Sequence, residues 1–190
     1  MKEYPVKLKI VYPESSNRLT AIFRLILVIP IVIILALIST YAEALSLAIA
    51  MMILLKEKYP RWWFDWNIGI TKFAYRIAAY VFLMRDEYPS TDHDQSVQIN
   101  IPYPDVKNDL KRWMPLVKWI LVIPHIIALI VLFIGVVLST IFALIAILFT
   151  GKYPKGIFNF VEGFFRWTLR VSAFALLLTT DEYPPFRLSD

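Results

Sequence analysis

Four cations lie inside two otherwise apolar, aromatic-rich segments. Lys72 and Arg76 fall in "FDWNIGITKFAYRIAAYVFLM", and Arg166 and Arg170 fall in "FNFVEGFFRWTLRVSAFALLL". Together with Gly69 and Ala79, or Gly163 and Ala173, they recur at i, i+3, i+7 and i+10, which places them on one stripe of a helix. A basic stripe opposed by Trp and Phe describes a helix lying in the headgroup plane of a membrane. Its chemistry is contact with anionic lipid phosphate, for which the guanidinium fork is suited. The competing use of the same charges is snorkelling that sets helix depth.

Glu43 and His125 interrupt long apolar runs. An ionisable group inside a membrane is a candidate for a proton relay or a solute site. The residues at matching places in the other half of the chain are Val137 and Ile31, so neither makes a pair. A neutral, hydrogen-bonded His125 and a Glu43 facing water at a turn are the simpler readings. His93, between Asp92 and Asp94 in "STDHDQS", reads as a surface linker, because three adjacent side chains do not converge on one metal unaided. The sequence has no Gly-rich phosphate loop, no H-E-x-x-H and no G-x-S-x-G. It has no cysteine and hence no disulfide or thiolate chemistry. The expectation is a chain that is not an enzyme and has neither metal nor cofactor.

The composition says what must hold these residues. Of 190 residues, 58% are hydrophobic and 18% charged, against about 45–50% and about 25% in soluble domains. Mean hydropathy is +0.60. From Leu25 to Leu55 the sole charge is Glu43, and from Trp119 to Thr150 there is none unless His125 is protonated. With so apolar a chain, the net charge of +5 points to anionic lipid rather than nucleic acid. The first 18 residues lack the apolar stretch of a cleavable signal.

The chain repeats itself. "LVIP" and "KYP" each recur 94 residues on, and "DEYP" recurs after 95. The halves, 1–95 and 96–190, therefore read as two membrane repeats related by a pseudo-twofold. Each opens on an alternating, strand-like segment ("VKLKIVYP", "VQINIPYP"), which suits either a paired ribbon or an extended linker. Each continues through the long apolar stretch and the basic, aromatic helix. Tyr-Pro at Tyr4, Tyr12, Tyr59, Tyr88, Tyr103, Tyr153 and Tyr183 marks the boundaries: proline stops a helix, and tyrosine prefers an interface with its hydroxyl toward water.

Three topologies compete. If each apolar stretch spans once and the basic helix lies flat, Lys and Arg divide ten and ten between the two sides, against the positive-inside tendency. If each apolar stretch is a helical hairpin, turning near "STYAE" and near Gly135, all 20 Lys and Arg fall on one side. If each is one long span followed by a spanning basic helix, four cations are stranded in lipid, at about 2.5–3.5 kcal/mol each. The hairpin is the favoured form. The expected fold class is an all-α integral membrane protein of two tandem repeats.

At "LFTGKYPKGIFNFVEGFFRWTLRVSAFALLLTTDEYPPF" and "IPHII" the chain resembles the DUF4389 family of prokaryotic membrane proteins. The second repeat matches better, and the first departs at Lys56-Glu57-Lys58 and Tyr75-Arg76-Ile77. The resemblance implies the plasma (inner) membrane of a prokaryote, here multi-pass with cytoplasmic termini, and brings no activity or substrate. The functional expectation is a scaffold or accessory subunit of a membrane complex, or a membrane-shaping protein, in contact with anionic lipids and other membrane subunits. The alternative is a small transporter or channel whose midplane site holds Glu43 and His125.

Overall fold

The computed structural model describes residues 4–91 and 93–189, with side chains except at positions 41–44. Strand β1 (Lys7–Ile10) precedes helices α1 (Arg18–Leu27), α2 (Ile29–Lys56) and α3 (Arg61–Val81). Strand β2 (Val97–Asn100) and the single turn α4 (Val106–Asp109) precede α5 (Met114–Leu121), α6 (Ile123–Thr150) and α7 (Lys155–Ala175). The fold is mostly helical.

The hairpin expected in each apolar stretch does not form. α2 and α6 each run unbroken for 28 residues, about 42 Å at 1.5 Å per residue. Gly135 stays inside α6. One glycine costs a helix only about 1 kcal/mol, whereas opening the ladder would strand backbone groups. The chain takes the other form considered, one long bent stretch. Its joint lies earlier, at Val28 and Val122, where α1 passes into α2 and α5 into α6. Pro30 and Pro124 occupy the first helical turn beyond each joint, where a missing N–H is tolerated. α2 and the α5–α6 unit are long and apolar enough to cross a membrane.

The alternating segments pair as an antiparallel ribbon, with Leu8 opposite Ile99 and Lys7 opposite Asn100. Val6, Leu8, Ile10, Val97, Ile99 and Ile101 are buried, while Lys7, Lys9, Gln98 and Asn100 face out. The ribbon seals the two repeats crosswise. β1 packs on α7 and β2 on α3, while α1 packs on α6 and α5 on α2. Mapping each repeat on the other returns the Leu8–Ile99 pair to itself, so the pseudo-twofold axis runs through the centre of the ribbon. Arg18 donates to the Phe149 carbonyl, and its counterpart Arg112 donates to that of Leu54.

Two tyrosines of Tyr-Pro follow the same swap and two bond within their own repeat. Tyr12 donates to the Tyr153 carbonyl and Tyr103 to that of Tyr59. Tyr88 and Tyr183 donate to Leu27 and Leu121, the last residues of α1 and α5. The expectation that these hydroxyls face water is corrected: Tyr12 and Tyr103 donate to loop carbonyls between helices, and Tyr88 and Tyr183 to the ends of α1 and α5, whose carbonyls lack intrahelical partners. Tyr59 and Tyr153 are buried outright, and burial pushes the Tyr59 hydroxyl up to about 12.

Both long helices end on a left-handed residue whose N–H returns to the fourth carbonyl back: Glu57 (φ 50°) to Ile53 and Gly151 (φ 72°) to Ile147. A side chain in that conformation costs about 1–2 kcal/mol, and glycine avoids it. Glu57→Gly is expected to raise stability by about 1 kcal/mol and Gly151→Ala to lower it by a similar amount, read as shifts in thermal unfolding in detergent. Its ion pair with Arg112 is long and half exposed, so losing it should not mask the gain.

Candidate functional site

The charges that organise the molecule are two that sequence reasoning passed over. Arg24 on α1 and Lys118 on α5 are each 1% exposed, and they occupy matching places 94 residues apart. Each meets the aspartate of a "DEYP". Arg24 pairs with Asp86 Oδ1, and Lys118 Nζ lies 2.7 Å from Asp181 Oδ1. The second carboxylate oxygen accepts a backbone N–H from the residue that leads into the same helix: Asn17 to Asp86 at 2.8 Å, Lys111 to Asp181 at 2.6 Å.

The cations find matching further partners. Arg24 donates to the Tyr80 and Arg85 carbonyls and lies over the Tyr80 ring. Lys118 donates to the Thr180 carbonyl at 2.8 Å and lies over Phe174. Each clamp ties the first helix of a repeat to the turn after its last. Leu83 and Leu178 shape those turns, both left-handed at φ 62° and 55° and both buried. The signal was legible as a lone cation at the same offset in each apolar run.

The basic stripe turns into the protein. Arg170, 2% exposed, donates to the Arg187 and Ser189 carbonyls. Arg166 donates to the Leu8 and Leu188 carbonyls and pairs with Glu162. Arg76 donates to the Ser90 carbonyl at 2.6 Å. Lys72 is half-buried beside Asp65, His93 and Asp94. The three arginines hold the ribbon and the segments after α3 and α7, which occupies the donors that the headgroup reading would use. Gly163 shares this seam: a Cβ there would stand 2.8 Å from that of Leu188.

His125 is fully buried. Its Nδ1 accepts from the Trp167 indole N–H at 3.0 Å; since indole only donates, the imidazole is neutral with its proton on Nε2. Its ring stacks on Phe186 at 3.9 Å and leans on Tyr183. "IPH", "RWTLRV" and "DEYPPF" thus meet in one aromatic box. The matching place in the first repeat is apolar, with Ile31 and Phe73 in one buried cluster. Glu43 lies on α2 outside the described side chains, and Asp92 is outside the described residues. Among the described residues, no three His, Asp or Glu side chains gather as metal ligands.

Residues 18–91 and 112–187 each match the model of one family, described as a domain of unknown function, DUF4389. The chain belongs to the DUF4389 family. No curated protein and no solved structure matches it. Each DUF4389 unit here takes in both charged partners of one clamp, from the helix that bears the cation to the "DEYP" turn. The ribbon strands lie outside both units.

Removing one partner of a buried ion pair leaves an uncompensated charge, at about 3–5 kcal/mol. Asp181→Asn should therefore destabilise this DUF4389 protein by about that amount in denaturant titrations in detergent. Asp86→Asn should cost less, because Asp86 is 32% exposed against 12% for Asp181. Lys118→Arg, which reproduces the cation of the other repeat, should be tolerated.

Proposed function

We propose that this DUF4389 chain is a non-catalytic membrane protein that seats itself in one leaflet, from one side, and wedges it. The observation that carries this reading is the pseudo-twofold axis through a ribbon with a polar outer face. α3 and α7 stand between the ribbon and the long helices, and the large exposed apolar side chains fall mainly on α1, α2, α5 and α6. With the axis in the membrane plane, the ribbon would sit at mid-depth and turn Lys7, Lys9, Gln98 and Asn100 toward lipid, which is costly.

With the axis along the membrane normal, symmetry gives Arg18 the depth of Arg112, and Phe149 the depth of Leu55, whose carbonyl Arg112 also reaches. The Arg18–Phe149 and Arg112–Leu55 bonds then bring all four helix ends to one depth. Each bent pair enters and leaves on the same side. This one-sided seat replaces the multi-pass arrangement and keeps the charges together without hairpins.

Contact with anionic lipid passes from the stripe to the rim. Lys56, Lys58, Lys152 and Lys155 are exposed at the ends of α2 and α6, where each is worth about 1 kcal/mol near an anionic surface. Trp62, Trp66 and Trp113 are exposed beside them and suit the interfacial belt. A scaffold role would use the same face against other subunits, and stoichiometric partners surviving mild detergent extraction would mark it.

The chain has no cysteine, so single cysteines at Lys9, Lys58, Gln98 and Lys152 report depth cleanly. All four are expected to label from one side in sealed proteoliposomes. Labelling of Lys58 or Lys152 from the side opposite Lys9 would overturn the seat. Tubules forming as the protein-to-lipid ratio rises, seen by electron microscopy, are the expected sign of the wedge; one-sided labelling with unchanged vesicles would refute it.

A further inference from the structure

The two repeats share a backbone plan but are not filled alike. Between α2, α3, the end of α7 and Trp119 lies a cavity of about 450 Å³, within the size range of small-molecule sites. Four of its lining residues are Ser39, Ile70, Thr71 and Leu176. Their counterparts, 94 residues away, are Phe133, Phe164, Phe165 and Phe82. Those four rings close on one another: Phe133 to Phe82 at 6.2 Å, Phe82 to Phe165 at 5.6 Å, and Phe164 to Phe165 and Phe133 each at 6.1 Å. One half fills the space with phenyl rings; the other leaves it open. An open trough leaves its lining atoms without the packing partners that the rings supply in the other half.

The open half also gains polarity where the filled half has none. Ser39, Asn67, Tyr75 and Ser172 line the cavity where the counterparts are Phe133, Val161, Leu169 and Ala78. The hydroxyls of Ser46 and Thr71 already donate to the Leu176 and Asn67 carbonyls, which leaves their lone pairs to accept. The Tyr75 hydroxyl is shielded from solvent without a hydrogen bond of standard geometry. Ser172 stands beside it, and burial drives it far above its ordinary range. Among the described residues no cationic side chain lines the cavity, so an anionic group would enter without a described partner. Leu47 and Leu176, both on the lining, are more than half exposed, so the mouth opens on the apolar face.

We infer that this cavity binds a neutral lipid: a hydrocarbon chain lies in the apolar trough, and an uncharged hydroxyl or carbonyl reaches Tyr75, Ser172 and Asn67. The inference rests on the reading that the apolar face sits in lipid. The test uses the full chain in nanodiscs with two photoactivatable probes, a diacylglycerol and a phosphatidylglycerol carrying the same diazirine acyl chain.

Diacylglycerol should label α3 at least tenfold more than phosphatidylglycerol does. Ser39→Phe with Thr71→Phe, which copies the filled half, should cut that labelling about tenfold. Tyr75→Phe with Ser172→Ala removes hydroxyls at nearly constant volume and should cut it several-fold, so the test stands even if the bulkier pair fails to fold. Undiminished labelling in a folded variant, or equal labelling by the anionic probe, would overturn the proposal. Labelling of α6 by both probes reports the lipid seat separately. Its loss would sink that seat, while its persistence alongside an unlabelled α3 would sink the cavity site alone.

Discussion

A buried cation with one carboxylate partner governs this fold. Arg24 and Lys118 are carried into the interior by apolar helices; α1 offers Arg24 only the Thr20 hydroxyl among its described side chains. Desolvation of a charge is tolerable only where a carboxylate and further acceptors surround it. Asp86 and Asp181 meet that demand, and the chain must return from the ends of α3 and α7 to bring them there. The left-handed leucines, the carbonyls aimed at the cations and the backbone N–H groups at Asn17 and Lys111 all follow from that return. The same clamp built twice gives the molecule its symmetry, and the ribbon closes the two copies against each other.

Much of this was legible in the sequence, because repeats and side-chain periods are local properties. The strand-like segments, the boundaries at Tyr-Pro, the two repeats and the long apolar helices followed from spacing alone. The hairpin did not survive, because apolar composition is the same whether a helix turns or runs on. A lone Gly135 is too weak a breaker to decide otherwise. The stripe of Lys72, Arg76, Arg166 and Arg170 runs along α3 and α7, and its three arginines donate to backbone carbonyls. Amphipathicity identifies a polar face without telling whether water, lipid or backbone carbonyls will meet it. The Arg24 and Lys118 clamps needed both halves to be compared residue by residue.

The departures from symmetry carry different information from the symmetry itself. Where His125 and Trp167 replace Ile31 and Phe73, a hydrogen bond and a ring stack fix the segment after α7. Where Glu57 replaces Gly151, the same turn is made under strain. Ser39 and Thr71 stand for Phe133 and Phe165, and one half is left hollow. Duplication supplies a framework that either half can hold, so each copy is free to change at places the other keeps structural.

The crosswise packing of the ribbon also orders events in time. β1 is made first, yet its pairing partner β2 and its supporting helix α7 are encoded 87 residues or more downstream of Ile10. A chain leaving the ribosome therefore presents α1 and α2 while β1 is unpaired and one face of α3 is uncovered. The apolar helices can find lipid at that stage, but the polar cap cannot close until α7 has been made. A protein released after its first repeat would keep both an open strand edge and an uncovered helix face, the features that quality-control proteases and chaperones engage.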